Sequence, residues 1–129
     1  MSYTITKTIA GDPFQNVVER TRAALSDEGF GVLTEIDVKN TLKKKIGAEI
    51  DDYLILGACN PSMAYQALQM EPKVGAMLPC NVILRTTPEG SVEVSAIDPV
   101  ASMQAIANDE LKSVAAQVRG KLEKVIASI

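Results

Sequence analysis

Twice in this chain an apolar run of strand length leads straight into an Asx-Pro pair: Tyr53 to Cys59 precedes Asn60-Pro61, and Ser91 to Ile97 precedes Asp98-Pro99. Asn and Asp cap helices because their side-chain oxygens accept from the free N–H groups of the first turn, and proline at the first helical position lacks only a donor that would have no partner there. Each junction therefore predicts a strand that turns at once into a helix. A chain with two such junctions mixes both element types, and the rest of the patterning says how.

Ser2 to Ile9 alternates β-forming residues and reads as a first strand. Asp12-Pro13 then opens a helix, with Asp12 as the expected cap and Gln15 completing a capping box. Phe14, Val17, Val18, Thr21 and Leu25 follow at helical spacing up to Gly29, a natural stop. Phe30 to Val38 reads as a second strand. A brief helix comes next, with Val38, Leu42 and Ile46 on one side, Lys43, Lys44 and Lys45 on the other, and Gly47 at its end. After the Tyr53 to Cys59 strand, a helix runs from Ser62 to Met70, and Glu71 to Pro79, with Pro72, Gly75 and Pro79, reads as an irregular loop.

Cys80 to Thr86 and Ser91 to Ile97 flank Thr87-Pro88-Glu89-Gly90, a short-turn signal that predicts an antiparallel hairpin. Asp98-Pro99 leads into a helix over Val100 to Ala107. From Asp109 the apolar positions Leu111, Ala115, Val118, Leu122, Val125 and Ile129 mark a long final helix, weakened but not broken by Gly120. The expected architecture is α+β: about five strands in a mostly antiparallel sheet with helices on one face. With 129 residues and no linker, repeat or low-complexity tract, residues 1–129 make one domain.

The composition excludes more chemistry than it offers. There is no His, which removes imidazole bases, Ser-His and Cys-His nucleophile pairs and imidazole metal sites. A net charge of −3 argues against nucleic acid, whose binders draw affinity from Lys and Arg on phosphates. No stretch is long and apolar enough for a membrane span, and the start of the chain lacks the apolar core of a signal peptide, so a cytoplasmic protein without membrane contact is expected. In a reducing compartment its two cysteines are expected as free thiols.

Those cysteines are the distinctive feature. Cys59 stands where a strand meets a helix start, a place that favours anions and thiolates, and Cys80 opens the next strand. If the two strands are neighbours running opposite ways, both thiols lie at one end of the sheet. The bland reading is two core thiols, since cysteine is among the most buried residues. A redox or catalytic pair, a small anion at the helix start, and a metal held with added carboxylates or a second subunit are the sharper ones. No metal ligand set, cofactor or catalytic residue can be named from the sequence.

Lys43 to Lys45 are an anion-receiving patch or simply a solvated face, and Glu35, Asp37, Glu49, Asp51 and Asp52 read as surface charge. Met63, Met70 and Met77 bracket the segment after Cys59, as core filling or as the adaptable lining of a pocket or subunit contact.

Cys59-Asn60-Pro61 followed by Ala64-x-x-Ala67-Leu68, then Leu78-Pro79-Cys80-Asn81-Val82, together with Asp37-Val38 and Lys45-Ile46-Gly47, resembles the bacterial and archaeal domain of unknown function 302 family over nearly the whole chain. The resemblance implies a curved antiparallel sheet with helices on one side, similar in outline to TATA-binding-protein-like folds, often as a homodimer. It implies no reaction. Its signature positions mark Cys59, Asn60, Pro61, Pro79 and Cys80 as the place to look.

The resulting expectation is a small cytoplasmic binding or interaction module, dimeric, with a site for a small-molecule or anionic ligand formed by Cys59, Asn60, Pro61, Cys80 and Lys45. The alternatives are a thiol-dependent enzyme or redox sensor acting through Cys59, and a metal-binding protein.

Overall fold

The computed structural model describes residues 2–129. Five strands form one antiparallel sheet: β1 (Thr4–Ile9), β2 (Gly31–Asp37), β3 (Tyr53–Cys59), β4 (Cys80–Thr86) and β5 (Val92–Ile97), in spatial order β1-β5-β4-β3-β2. The helices are α1 (Phe14–Asp27), α2 (Val38–Ile46), α3 (Pro61–Met70), the short α4 (Pro99–Ser102) and α5 (Asp109–Ala127). The α+β expectation holds, and the sheet is open rather than closed into a barrel.

Period-two burial explains why helices occupy one face. Leu54, Leu56 and Ala58 of β3, Cys80, Val82 and Leu84 of β4, and Val92, Val94 and Ala96 of β5 all point to the same side. Val17, Val18 and Leu25 of α1 and Val114, Val118, Leu122 and Val125 of α5 close over them to form the main core. A smaller cluster, Ala67, Val74, Met103, Leu111 and Ala115, joins α3 to α5. Because β1 and β2 are the two edges, α1 must carry the chain across the whole sheet between them.

Several local expectations are corrected. Pro13, not Asp12, occupies the cap of α1, in extended geometry and with no side-chain cap bond. Asp12 instead pairs with Arg20 at 3.0 Å, and Gln15 donates to Glu19 rather than reaching back to close a capping box. The Glu71 to Pro79 segment is not irregular: Pro72–Met77 winds as a 3-10 helix, begun by proline at its first position and by a Glu71 carboxylate that accepts from Lys73 N. The helix expected to reach Ala107 stops at Ser102, and Asn108 begins α5 by accepting from Leu111 N. The second strand is shorter than Phe30 to Val38: Phe30 is a core residue, and Asp37 caps α2 by accepting from Asn40 N.

Candidate functional site

β3 and β4 are antiparallel neighbours in which Ala58 faces Cys80. Cys59 is the last residue of β3 and Cys80 the first of β4, so both thiols sit at one end of the sheet. The reason is topological. α3 and the 3-10 helix leave and return at that same end, which makes the closing residue of one strand the neighbour of the opening residue of the next.

Three backbone details shape this end. Asn60 caps α3, its Oδ1 accepting from Met63 N at 3.3 Å, and Pro61 takes the first helical position. The Leu78–Pro79 peptide, immediately before Cys80, is cis. Gly29, with φ of +83°, turns the chain out of α1 so closely that a Cβ there would lie 3.3 Å from Asn60 Nδ2.

Beneath the thiols lies a cavity of about 30 Å3. Cys59, Asn60 and Met63 line it from the β3–α3 junction, Cys80 from β4, and Met103 from the turn after α4. The remaining walls are apolar side chains, mostly of α3 and α5. α4 places Met103: the Asp98 carboxylate accepts from Val100 N at 2.9 Å and Ala101 N at 3.4 Å. Asn108 Nδ2 donates to Met70 O at 3.2 Å, tying the start of α5 to the end of α3.

Both cysteines are free thiols, Cys80 buried and Cys59 partly so. Burial, reinforced by the neighbouring Cys59, pushes the Cys80 thiol up from 9.0 to about 11. Cys80 is therefore protonated at neutral pH, a poor nucleophile by itself.

The expected site residues divide. Cys59, Asn60 and Cys80 all border the cavity, but Cys80 pairs with Ala58, so alternation along β3 turns Cys59 toward the other face and the expected thiol pair is not formed. Pro61 is exposed and serves the helix start without lining the cavity. Lys45 does not join them. It is exposed in the last turn of α2, whose first residue follows Asp37, and Asp37 pairs with Leu54 at the far end of the sheet from Cys59. The Lys45-Ile46-Gly47 motif marks the end of α2, and α2 starts where β2 ends, away from the Cys59 end of the sheet. The groove beside α2, lined by Lys39, Lys43, Glu49 and Asp51, mixes opposite charges on exposed side chains and is a solvated surface.

Sequence reasoning missed Met103. Only the buried apolar character of the helix after Asp98 hinted at it, and nothing local ties residue 103 to residue 59. Of the three methionines singled out from the sequence, Met63 lines the cavity, whereas Met70 packs against the core and Met77 is exposed. Among the described residues no group of three or more His, Cys, Asp or Glu is placed to hold a metal, and no helix is long and apolar enough to cross a membrane.

The profile of the domain of unknown function DUF302 matches residues 5–129. The crystal structure of an uncharacterized conserved DUF302 protein from Bacillus stearothermophilus is similar with a TM-score of 0.92 at 25% sequence identity, covering 99% of this chain and 98% of that one. No curated protein matches the chain.

Proposed function

We propose that this chain, which belongs to the DUF302 family of domains of unknown function, is a small binding module whose ligand site is the cavity beneath Cys59 and Cys80. The cavity carries this reading: Asn60, Cys59 and Cys80 border it among otherwise apolar residues. A volume of about 30 Å3 suits a water-sized or single-atom occupant, or the tip of a larger molecule, rather than a whole metabolite.

The thiol-enzyme alternative has less support. A thiolate nucleophile needs an activating base or cation, yet the chain has no His and no Lys or Arg lines the cavity. Cys80 is held protonated by burial. Free thiols without a disulfide fit a reducing, cytoplasmic setting.

Native mass spectrometry of freshly purified full chain tests the reading. A retained mass is expected, and Ala64→Leu, which fills the cavity from α3, should abolish it. Bare chain in every preparation would sink the proposal.

A specific observation favours a second property, assembly as a homodimer. Leu33 and Ile36 on edge strand β2 and Ile46 on α2 are large apolar side chains left exposed at 67%, 47% and 73%. β2 also keeps one hydrogen-bonding edge free. A second copy would cover both.

A further inference from the structure

We propose that two copies of this chain join through β2, each β2 pairing antiparallel with the other across a two-fold axis, so that Lys43, Lys44 and Lys45 of one copy meet Asp27 and Glu28 of the second. This rests on the homodimer reading above and names the strand direction and the charges that set it. Opposite charges stand at the two ends of β2. Asp27 closes α1 and Glu28 caps it shortly before the strand starts at Gly31, whereas α2 starts at Val38, directly after the strand ends at Asp37, and carries three lysines in its last turn. Among the described residues none of these five side chains makes an ion pair.

The two acids oppose the helix that ends on them. A helix C-terminus carries partial negative charge and favours cations, yet α1 has no basic residue in its last turn. A cation supplied from outside the chain relieves that end. The lysines suit the end of their own helix, but the apolar stripe beside them is left open. Val38 and Leu42 are half-buried, and Ile46, next on the same helix face, is exposed. On the strand itself Leu33, which the register shift leaves without a partner on β3, and Ile36 are exposed as well.

Charge selects the direction of pairing. Two identical edge strands related by a two-fold axis can run parallel or antiparallel. Parallel pairing sets acids beside acids and lysines beside lysines. Antiparallel pairing lays the Asp37 end of one strand along the Gly31 end of the other, which brings each lysine cluster to the second copy's α1 end, twice in every dimer. The 7 residues of β2, the 9 of α2 and the end of α1 come near the about 20 residues a side of a standard interface. Both free β2 edges are satisfied in this arrangement, and the two sheets become one.

Charge reversal in the full chain, read as light-scattering mass at micromolar concentration, tests the arrangement. Asp27→Lys/Glu28→Lys and Lys43→Glu/Lys44→Glu/Lys45→Glu should each weaken self-association by about a hundredfold. Mixed in equal amounts, the two variants should form a dimer with one chain of each, because every contact is again between opposite charges. Lys112→Glu, exposed on α5, should leave the dimer unchanged. Should a reversed chain fail to fold by circular dichroism, carbodiimide coupling of wild type mixed from isotope-labelled and unlabelled chains decides: peptides joining Lys43 to Lys45 with Asp27 or Glu28 should link a labelled chain to an unlabelled one. A wild type of single-chain mass refutes this arrangement and the homodimer reading together. A wild-type dimer that survives either reversal, a mixture that stays single-chain, or coupling confined within one copy would each overturn the arrangement and leave the homodimer reading standing.

Discussion

Thr34 on β2 occupies the space that a side chain on Gly57 of β3 would need. The two residues face each other across the β2–β3 pair, next to the register shift between Val32 and Thr34, and Pro79 Cγ lies 2.9 Å from the position of a Gly57 Cβ on the other side. Gly57 thus lets β2 and the Pro79 turn close together two residues before Cys59. Gly57→Ala should cost about 2–3 kcal/mol through overpacking, read as a lower urea midpoint at unchanged slope. Thr34→Ala in that background should recover part of the loss, because it removes the hydroxyl while leaving Pro79 in place.

The Cys80 thiol gives a pH dependence with a definite sign. Its unfolded form loses a proton near 9.0 and its folded form near 11, so between those values the folded state holds the extra proton. Stability is full below about pH 9 and falls as pH rises toward 11, by about 3 kcal/mol in all. Other groups titrate in that range, so the measurement is a difference: denaturation of wild type minus Cys80→Ala across pH 8 to about 11.5, a difference that should fall by about 3 kcal/mol as pH rises from 9 to 11. Iodoacetamide at neutral pH should leave Cys80 unlabelled in the native chain.

The cap on α3 has a measurable value. Asn60→Ala removes the acceptor for Met63 N and should lower stability by about 1 kcal/mol, while Asn60→Asp should recover most of it because a carboxylate accepts the same bond. A loss of several kcal/mol in Asn60→Ala would mean that Asn60 does more than cap.

Homodimer formation predicts a light-scattering mass of two chains at micromolar concentration. Ile36→Lys should give one chain with little change in melting temperature measured at low concentration, because the Ile36 side chain is half exposed within the protomer. A single-chain mass for the wild type would refute assembly.

The element pattern was legible because strands and helices carry their own local signals. The Tyr53–Cys59 and Cys80–Thr86 strands, the Asn60 cap with Pro61, and the Gly47 stop all lie where period-two alternation, Asx-Pro chemistry and a left-handed glycine placed them. The local readings that missed failed within the same range of a few residues. Asp12 is one position too early to cap α1 and finds Arg20 instead, and Pro72 starts a 3-10 turn where two prolines and a glycine read as an irregular loop.

By itself the sequence determined that two thiols stand at strand ends and that one of them borders a helix start, because caps, prolines and alternation act between neighbours along the chain. Only tertiary structure decided what those thiols face. Met103 reaches the cavity from more than forty residues away because α4 and α5 must bury their apolar side on the sheet, and Lys45, much nearer in sequence, goes to the opposite end because β2 runs the length of the sheet before α2 begins. Hydrophobic burial fixes which faces meet, but it is not directional along the sequence, so the company a side chain keeps is settled by packing.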